Sequence, residues 1–431
     1  MILTVVIFLV VLSILVFVHE SGHYLAARHV GVRVLQFSIG FPPKLWGKIV
    51  GDTEYLVSWL PIGGYVRLEG QNIEDENPDD PANYASKSIL QRLYILVAGP
   101  LANLLLALVL MPLVYLIGVE TSAYRLEKPI LASTVEGSPA EKAGFEAGDR
   151  IISVGDQRIQ SWRDLSESLG AEAVREPTVS FKVERGDRFL TLIVSSDHFL
   201  GEESFGWQPL IPAIVGRVGE GTPAEKAGLL PGDHLLSMNG ENLSQWREIP
   251  SAVQRAADSD LAVEVERNGQ KIVLKMRAEL DTERQVWLIG ISPPMVTERY
   301  GFGEAISRGT KRVWEITQAT FSFLGAMLGG HGSMEAVGGP VKIGQVIGEA
   351  ARLGVANLVF WMAVISLQLG IFNLLPIPAL DGGHVVLLGA EYLRGKPLSS
   401  MIRERAQMIG FSLLILLLVF VTFNDISRLI N

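Results

Sequence analysis

The chain has 431 residues, of which 48% are hydrophobic and only 19% charged, where a soluble domain carries roughly 25% charged residues. So apolar a chain, with a net charge of only −9, is excluded from the disordered class and points to a membrane protein. The 46 acidic residues outnumber the 37 basic ones, which argues against a nucleic-acid partner. The absence of cysteine excludes disulfides, thiolate metal ligands and a cysteine nucleophile.

In chain order, the first apolar run is Ile2 to Val18, uncharged and just long enough to cross a hydrocarbon core. No basic residue precedes it and no small-residue cleavage site follows it, so it reads as a retained span rather than a signal peptide. His19-Glu20-Ser21-Gly22-His23 follows directly. Four residues apart on a helix, His19 and His23 differ by about 40° in azimuth and point the same way. Glu20 sits beside the first of them, placed to hold a water. This His-Glu-x-x-His spacing binds zinc through two neutral imidazoles and uses the Glu as general base. Ionisable groups inside a span each cost about 2.5–3.5 kcal/mol, so three in five residues need a function to retain them. The plainer alternative is a hydrated helix end.

Beyond Arg28, Val32, Val34, Thr53–Ser58 and Tyr65–Leu68 are strand-like, punctuated by Pro42-Pro43 and Gly63-Gly64. Glu74, Asp75, Glu76, Asp79 and Asp80 read as a solvated loop. The second apolar run is Leu93 to Gly118. A repeat follows: Gly137-Ser138-Pro139-Ala140-Glu141-Lys142-Ala143-Gly144 with Gly148-Asp149 returns as Gly221-Thr222-Pro223-Ala224-Glu225-Lys226-Ala227-Gly228 with Gly232-Asp233, and Trp162 and Trp246 keep the offset. Each copy is long enough to be a domain of short strands with one short helical segment closed by glycine. Ile306, Val313, Ile316, Thr320 and Phe323 then recur near helical spacing, predicting an amphipathic helix on the membrane surface or against the second repeat.

The third apolar run, Gly354 to Leu380, ends in Asn373-Leu374-Leu375-Pro376-Ile377-Pro378. Its prolines break the helix and free backbone groups inside a protein-lined site. Asp381 follows and could complete a three-ligand zinc site; His384 is its rival, and a turn-capping role for Asp381 is the alternative. Met408 to Asn424 is the fourth span. Arg28, Arg33, Lys87, Arg92, Arg394, Lys396, Arg403 and Arg405 flank the spans on what the charge bias makes the cytoplasmic side.

Two resemblances follow from these motifs. The repeated Ser/Thr-Pro-Ala-Glu-x-Ala-Gly…Gly-Asp pattern resembles the bacterial, circularly permuted PDZ domain, which implies a groove where an extended peptide or C-terminus adds as a strand. The zinc motif and the Asn373–Asp381 stretch together resemble the site-2 protease family of intramembrane metalloproteases. So do Pro61-Ile62-Gly63-Gly64-Tyr65-Val66, Ala98-Gly99-Pro100-Leu101-Ala102-Asn103 and Gly338-Gly339-Pro340. That resemblance implies His19, His23 and Asp381 as Zn2+ ligands, selecting Asp381 over His384, with Glu20 as the catalytic glutamate. It places Asn373 near the substrate or its developing oxyanion. It also implies a membrane-associated β-hairpin whose edge pairs with substrate, making Gly63, Gly64, Tyr65, Pro376 and Pro378 candidate substrate-binding residues. Gly40-Phe41-Pro42-Pro43 departs from the family's Gly-Phe-Gly-Pro, which leaves the shape of that turn open.

The expected fold class is a polytopic α-helical membrane protein with four transmembrane helices, a membrane-associated β-hairpin region and two tandem PDZ-like α+β domains. The expected partition is a zinc-motif span over 1–27, a cytoplasmic-side hairpin and loop region over 28–92, and a span over 93–119. PDZ-like domains occupy 120–208 and 209–298, and an amphipathic helix and linker 299–353. A span with a broken end takes 354–380, a zinc-ligand loop and cytoplasmic segment 381–407, a span 408–424 and a tail 425–431. The resemblance implies a bacterial inner-membrane enzyme with its repeats in the periplasm and its active site toward the cytoplasm. It would cut pre-trimmed single-span proteins, such as a membrane-bound anti-sigma factor or remnant signal peptides, in an envelope stress response. A non-catalytic PDZ scaffold and a metal-ion carrier are the rival readings. The scaffold needs neither Glu20 nor Asp381, and a carrier calls for polar residues along several spans.

Overall fold

The computed structural model describes residues 2–71, 80–200, 205–281, 285–329, 338–396 and 398–430. The acidic positions Glu74, Asp75, Glu76 and Asp79, and most of the glycine-rich stretch before Pro340, lie outside them. The chain divides into two compact units, one of residues 1–119 with 298–431 and one of residues 120–297.

In the first unit, four helices among the described residues are long and apolar enough to cross a membrane. They are α1 (Ile2–His29), α2 (Ile89–Ile117), α5 (Val355–Asn373) and the stretch 401–425 of α7 (Ser400–Ile430). Between them lie α3 (Phe302–Leu328), α4 (Pro340–Leu353) and α6 (Asp381–Arg394). Exposed Val6, Val10 and Ile14 on α1, and Phe411, Leu416 and Phe423 on α7, form faces that only lipid would solvate well.

The centre is α2. It starts at a capping box, with Ser88 and Gln91 satisfying each other's backbone amides. Its Ala107 and Met111 are buried with Val313 of α3 and Ala363, Leu367 and Ile371 of α5. The apolar face of α3 is thus turned in part onto the spans, a helix-on-helix burial that periodicity cannot distinguish from a membrane-surface helix. Residues 381–394, read from sequence within a loop segment, form α6. Once past Gly382-Gly383 the segment is rich in helix-compatible apolar residues with no proline to stop it. Glu391 of α6 is buried, accepts from Arg92 Nη1 of α2 at 3.1 Å and from the Leu398 amide at 3.1 Å, and so ties α6 to the bundle. Asp425 of α7 accepts from the Gly339 and Lys342 amides, both at 3.0 Å, capping the start of α4.

Strands β1 (Val34–Val50) and β2 (Thr53–Leu68) form one antiparallel hairpin folded back on itself. Phe37, Ser38 and Ile39 pair on one side with Tyr55, Leu56 and Val57 and on the other with Val66, Tyr65 and Gly64. The 64–67 segment is therefore an edge, with no further strand paired to it among the described residues. The Pro42–Pro43 peptide, at the turn left open by the sequence, is cis. Aromatic edge contacts fasten the hairpin to α1, Phe17 and Tyr24 each meeting Phe37, and the Tyr24 and Tyr55 hydroxyls lie 2.6 Å apart.

In the second unit the two repeats share one topology. Four-stranded antiparallel sheets run in the order 157–158, 150–154, 178–185, 188–195 in the first and 241–242, 234–238, 260–267, 270–277 in the second. The repeated motif explains itself in both copies. Ser138 and Thr222 cap the short helices by accepting the Glu141 and Glu225 amides. Asp149 and Asp233 are buried and each is gripped by two nitrogens of one arginine, Arg185 at 2.7 and 2.8 Å and Arg267 at 2.7 and 2.6 Å. The same arginines donate to the Gly144 and Gly228 carbonyls. Burial alone would push the Asp233 carboxyl up; the Arg267 hydrogen bonds and the Leu230 amide outweigh it and hold Asp233 below the usual carboxylate range.

Candidate metal centre

Helix α1 continues past the apolar run through His19 and His23 to His29, so both imidazoles project from one helix face, about one turn apart. That face meets α2 at a very close crossing. A Cβ on Gly22 would lie 2.2 Å from the Ala98 carbonyl oxygen, and one on Gly99 would lie 2.2 Å from His23 Nε2. Glycine is needed at both positions for lack of room. His23 Nδ1 lies 2.8 Å from the Ile95 carbonyl, which must accept, so the ring keeps its proton there and presents the Nε2 lone pair. His19 Nδ1 lies 3.4 Å from the side-chain amide of Asn103, which is fully buried on α2.

Asp381 arrives from the other direction. Asn373 ends α5, and residues 374–380, with Pro376 and Pro378, form a tight link. The Leu380 carbonyl accepts from the Gly383 and His384 amides, turning the chain into α6 with Asp381 as its first residue. Side chains at 382 and 383 would collide with the Leu374 and Ile377 carbonyls at 2.3 and 2.1 Å, so the link can fold back only on glycine. Gly410 of α7 packs against Pro378 and Ala379 from outside.

The result brings His19, His23 and Asp381 together, their ligand atoms all within 4.8 Å of one another. His19 Nε2 and His23 Nε2 are 3.2 Å apart, and Asp381 Oδ2 lies 3.2 Å and 3.6 Å from them. Tetrahedral zinc with ligands at about 2.0–2.1 Å needs donor separations of about 3.3–3.4 Å. Two imidazoles and one carboxylate at that spacing fit zinc. His384 lies outside the cluster. It lines a cavity of about 430 Å³ with Tyr84, Arg92, Glu391, Arg403 and Gln407, its Nε2 3.4 Å from Gln407 Nε2.

Glu20 lies beside the hairpin edge. A Cβ on Gly64 would sit 3.1 Å from Glu20 Cγ and 2.8 Å from Val16, so the glycine lets β2 approach α1 at this point. Gly63 lies against the Phe41 ring, and Tyr65 pairs with Ser38. Sequence reasoning assigned no role to Gly22, Gly99 or Asn103. The signals available were the Ala98–Asn103 stretch that carries the family resemblance and Asn103 itself, the only side-chain amide in the second apolar run.

Comparison with known proteins accords with this geometry. The model of peptidase family M50 matches residues 7–417. The chain belongs to that family, the site-2 proteases, and is a metalloendopeptidase. It is 34% identical to the regulator of sigma E protease of Haemophilus influenzae and 32% identical to the regulator of sigma-E protease RseP of Escherichia coli K12. The protease RseP of Yersinia pestis is 30% identical, and each match covers 98% of both chains.

Proposed function

We propose that the chain is a bacterial inner-membrane zinc protease that cuts pre-trimmed single-span membrane proteins within or near the transmembrane segment, membrane-bound anti-sigma factors among them, in a sigma-E type stress response. The single observation that carries the reading is the His19–His23–Asp381 cluster beside Glu20 and a free strand edge. Likeness over 98% of the chain to regulators of sigma-E protease supports the pathway.

His19, His23 and Asp381 hold the zinc, which when bound acts as a Lewis acid that activates water and polarises the scissile carbonyl. Glu20 takes the proton of the attacking water and returns it to the leaving amine. Asn373 donates a hydrogen bond to the oxyanion. A peptide bond within a helix is shielded by its own hydrogen bonds, so the substrate must unwind and its bared amides need partners. The edge at Gly64–Arg67, with Gly63, Gly64 and Tyr65, supplies backbone partners by strand addition, and Pro376 and Pro378 add further contacts to the substrate. The basic residues flanking the spans support a site that faces the cytoplasm.

The two repeats are PDZ-like domains on the periplasmic side. Their grooves are able to take a peptide C-terminus, and together they exclude substrates whose outer domain has not been removed. Paired single-span substrates test this, one with a folded outer domain and one trimmed to a few outer residues. The trimmed form is cut at least tenfold faster, and deleting residues 120–297 abolishes the difference. Equal cutting of both forms by the intact chain would contradict the size filter.

A further inference from the structure

We infer that Asn103 is a positioning residue for the metal centre, with its side-chain oxygen accepting the Nδ1 proton of His19. The inference deepens the zinc-site reading and rests on it. Asn103 is fully buried in α2, and its backbone carbonyl accepts from the Ser366 hydroxyl of α5 at 2.8 Å, which fixes its place in the bundle. Its amide faces His19 Nδ1 at 3.4 Å through Nδ2, and its Oδ1 is then buried with no hydrogen-bond partner.

The two orientations of this amide differ in consequence. With Nδ2 donating, His19 Nδ1 must be the acceptor, the ring proton moves to Nε2, and the nitrogen facing His23 and Asp381 has no lone pair for a metal. With the amide turned by half a rotation, Oδ1 accepts from Nδ1–H, the orphaned oxygen gains its partner and Nε2 is free. The two ends of an amide are nearly equal in size, so the turn needs no repacking. A buried polar group without a partner costs about 1–3 kcal/mol, and the turn hands the partnerless position from the oxygen to the amide nitrogen, so it is the need for a free Nε2 lone pair at the metal that selects the second orientation.

The same logic operates at the other ligand, where the Ile95 carbonyl fixes His23. Helix α2 thus supplies the outer partner of both histidines, from a backbone oxygen at Ile95 and a side-chain oxygen at Asn103. Gly99 lies midway between them and against the His23 ring. Partners of this kind set the tautomer and ring angle of a ligating histidine, and removing one typically costs 10- to 100-fold in metal affinity.

The test measures zinc affinity of the full-length purified protein by chelator competition, with the d–d absorption of cobalt-loaded protein as a second readout. Asn103→Leu keeps the volume and removes the acceptor; Asn103→Asp keeps an acceptor oxygen. Asn103→Leu is expected to bind zinc 10- to 100-fold more weakly with an altered cobalt spectrum, and Asn103→Asp to stay within about threefold of wild type. Wild-type affinity in Asn103→Leu, beside zinc-loaded wild type, would overturn the inference alone. Equal loss in both variants would also overturn it, because a carboxylate oxygen would then fail to rescue. Absence of zinc from the wild type, or its retention by His19→Ala, would overturn the metal-site reading and this inference with it.

Discussion

Glu20→Gln should cut a trimmed single-span substrate about 10²- to 10⁴-fold more slowly than the wild type while retaining its metal. The reasoning is local. Glutamine keeps the size of the side chain and an oxygen able to accept the Val66 amide, as Glu20 does, so the contact between α1 and the hairpin edge survives. What disappears is a basic oxygen able to take a proton from water and release it to the leaving nitrogen. His19, His23 and Asp381 are untouched, so zinc content measured on the same preparation should stay at wild-type level. Loss of cleavage with zinc retained separates a role in proton transfer from one in metal binding. Undiminished cleavage would remove Glu20 from the mechanism, and loss of zinc with activity would make it part of the metal cage.

The second large effect is expected from a residue with no reactive group. At Gly99 an added Cβ would stand 2.2 Å from His23 Nε2, and at Gly22 the facing backbone is as close. Neither helix can yield without opening the crossing that sets the histidines. Gly99→Val is therefore predicted to lower zinc affinity by more than about 100-fold, exceeding the usual loss of one outer partner because the ligand itself is displaced. Cleavage should fall to the level of an Asp381→Ala variant. Gly389→Ala is the control, since a Cβ at that position of α6 meets nothing within 4 Å. Full metal content in Gly99→Val would show that the crossing is loose and that His23 is held by something else.

These two residues also mark what the sequence could and could not tell. The i, i+4 spacing of His19 and His23, in an uncharged run, is a local property of one helix and reads directly. Asp381 was readable as a candidate, but its rival His384 stands only three residues on, and spacing cannot say which side chain points inward. The fold answers by starting α6 at Asp381, on two glycines that let the link close on itself. Gly99 and Asn103 were opaque because their roles arise where two helices distant in sequence cross. In the sequence they stand within the Ala98–Asn103 stretch that resembles the family, but nothing there says what either residue touches. The hairpin was legible as strands but not as a pair folded so that residues 37–39 are flanked on both sides, which leaves 64–67 as the free edge beside Glu20. For α3, the 3.6-residue periodicity gave the helix and its apolar stripe, while the surface it covers, on α2 and α5, depended on the packing of the whole bundle.

The measurement that bears most directly on the account is metal removal and return in the intact protein. Purified full-length chain in lipid is stripped with a chelator, then titrated with zinc, and cleavage of a trimmed single-span substrate is followed with bound metal counted in parallel. The expected result is loss of cleavage on stripping and full recovery at one zinc per chain, with no recovery in Asp381→Ala. Undiminished cleavage by the stripped protein would contradict it, as would recovery in Asp381→Ala equal to wild type. Either would mean that the His19, His23 and Asp381 cluster is not where the peptide bond is broken.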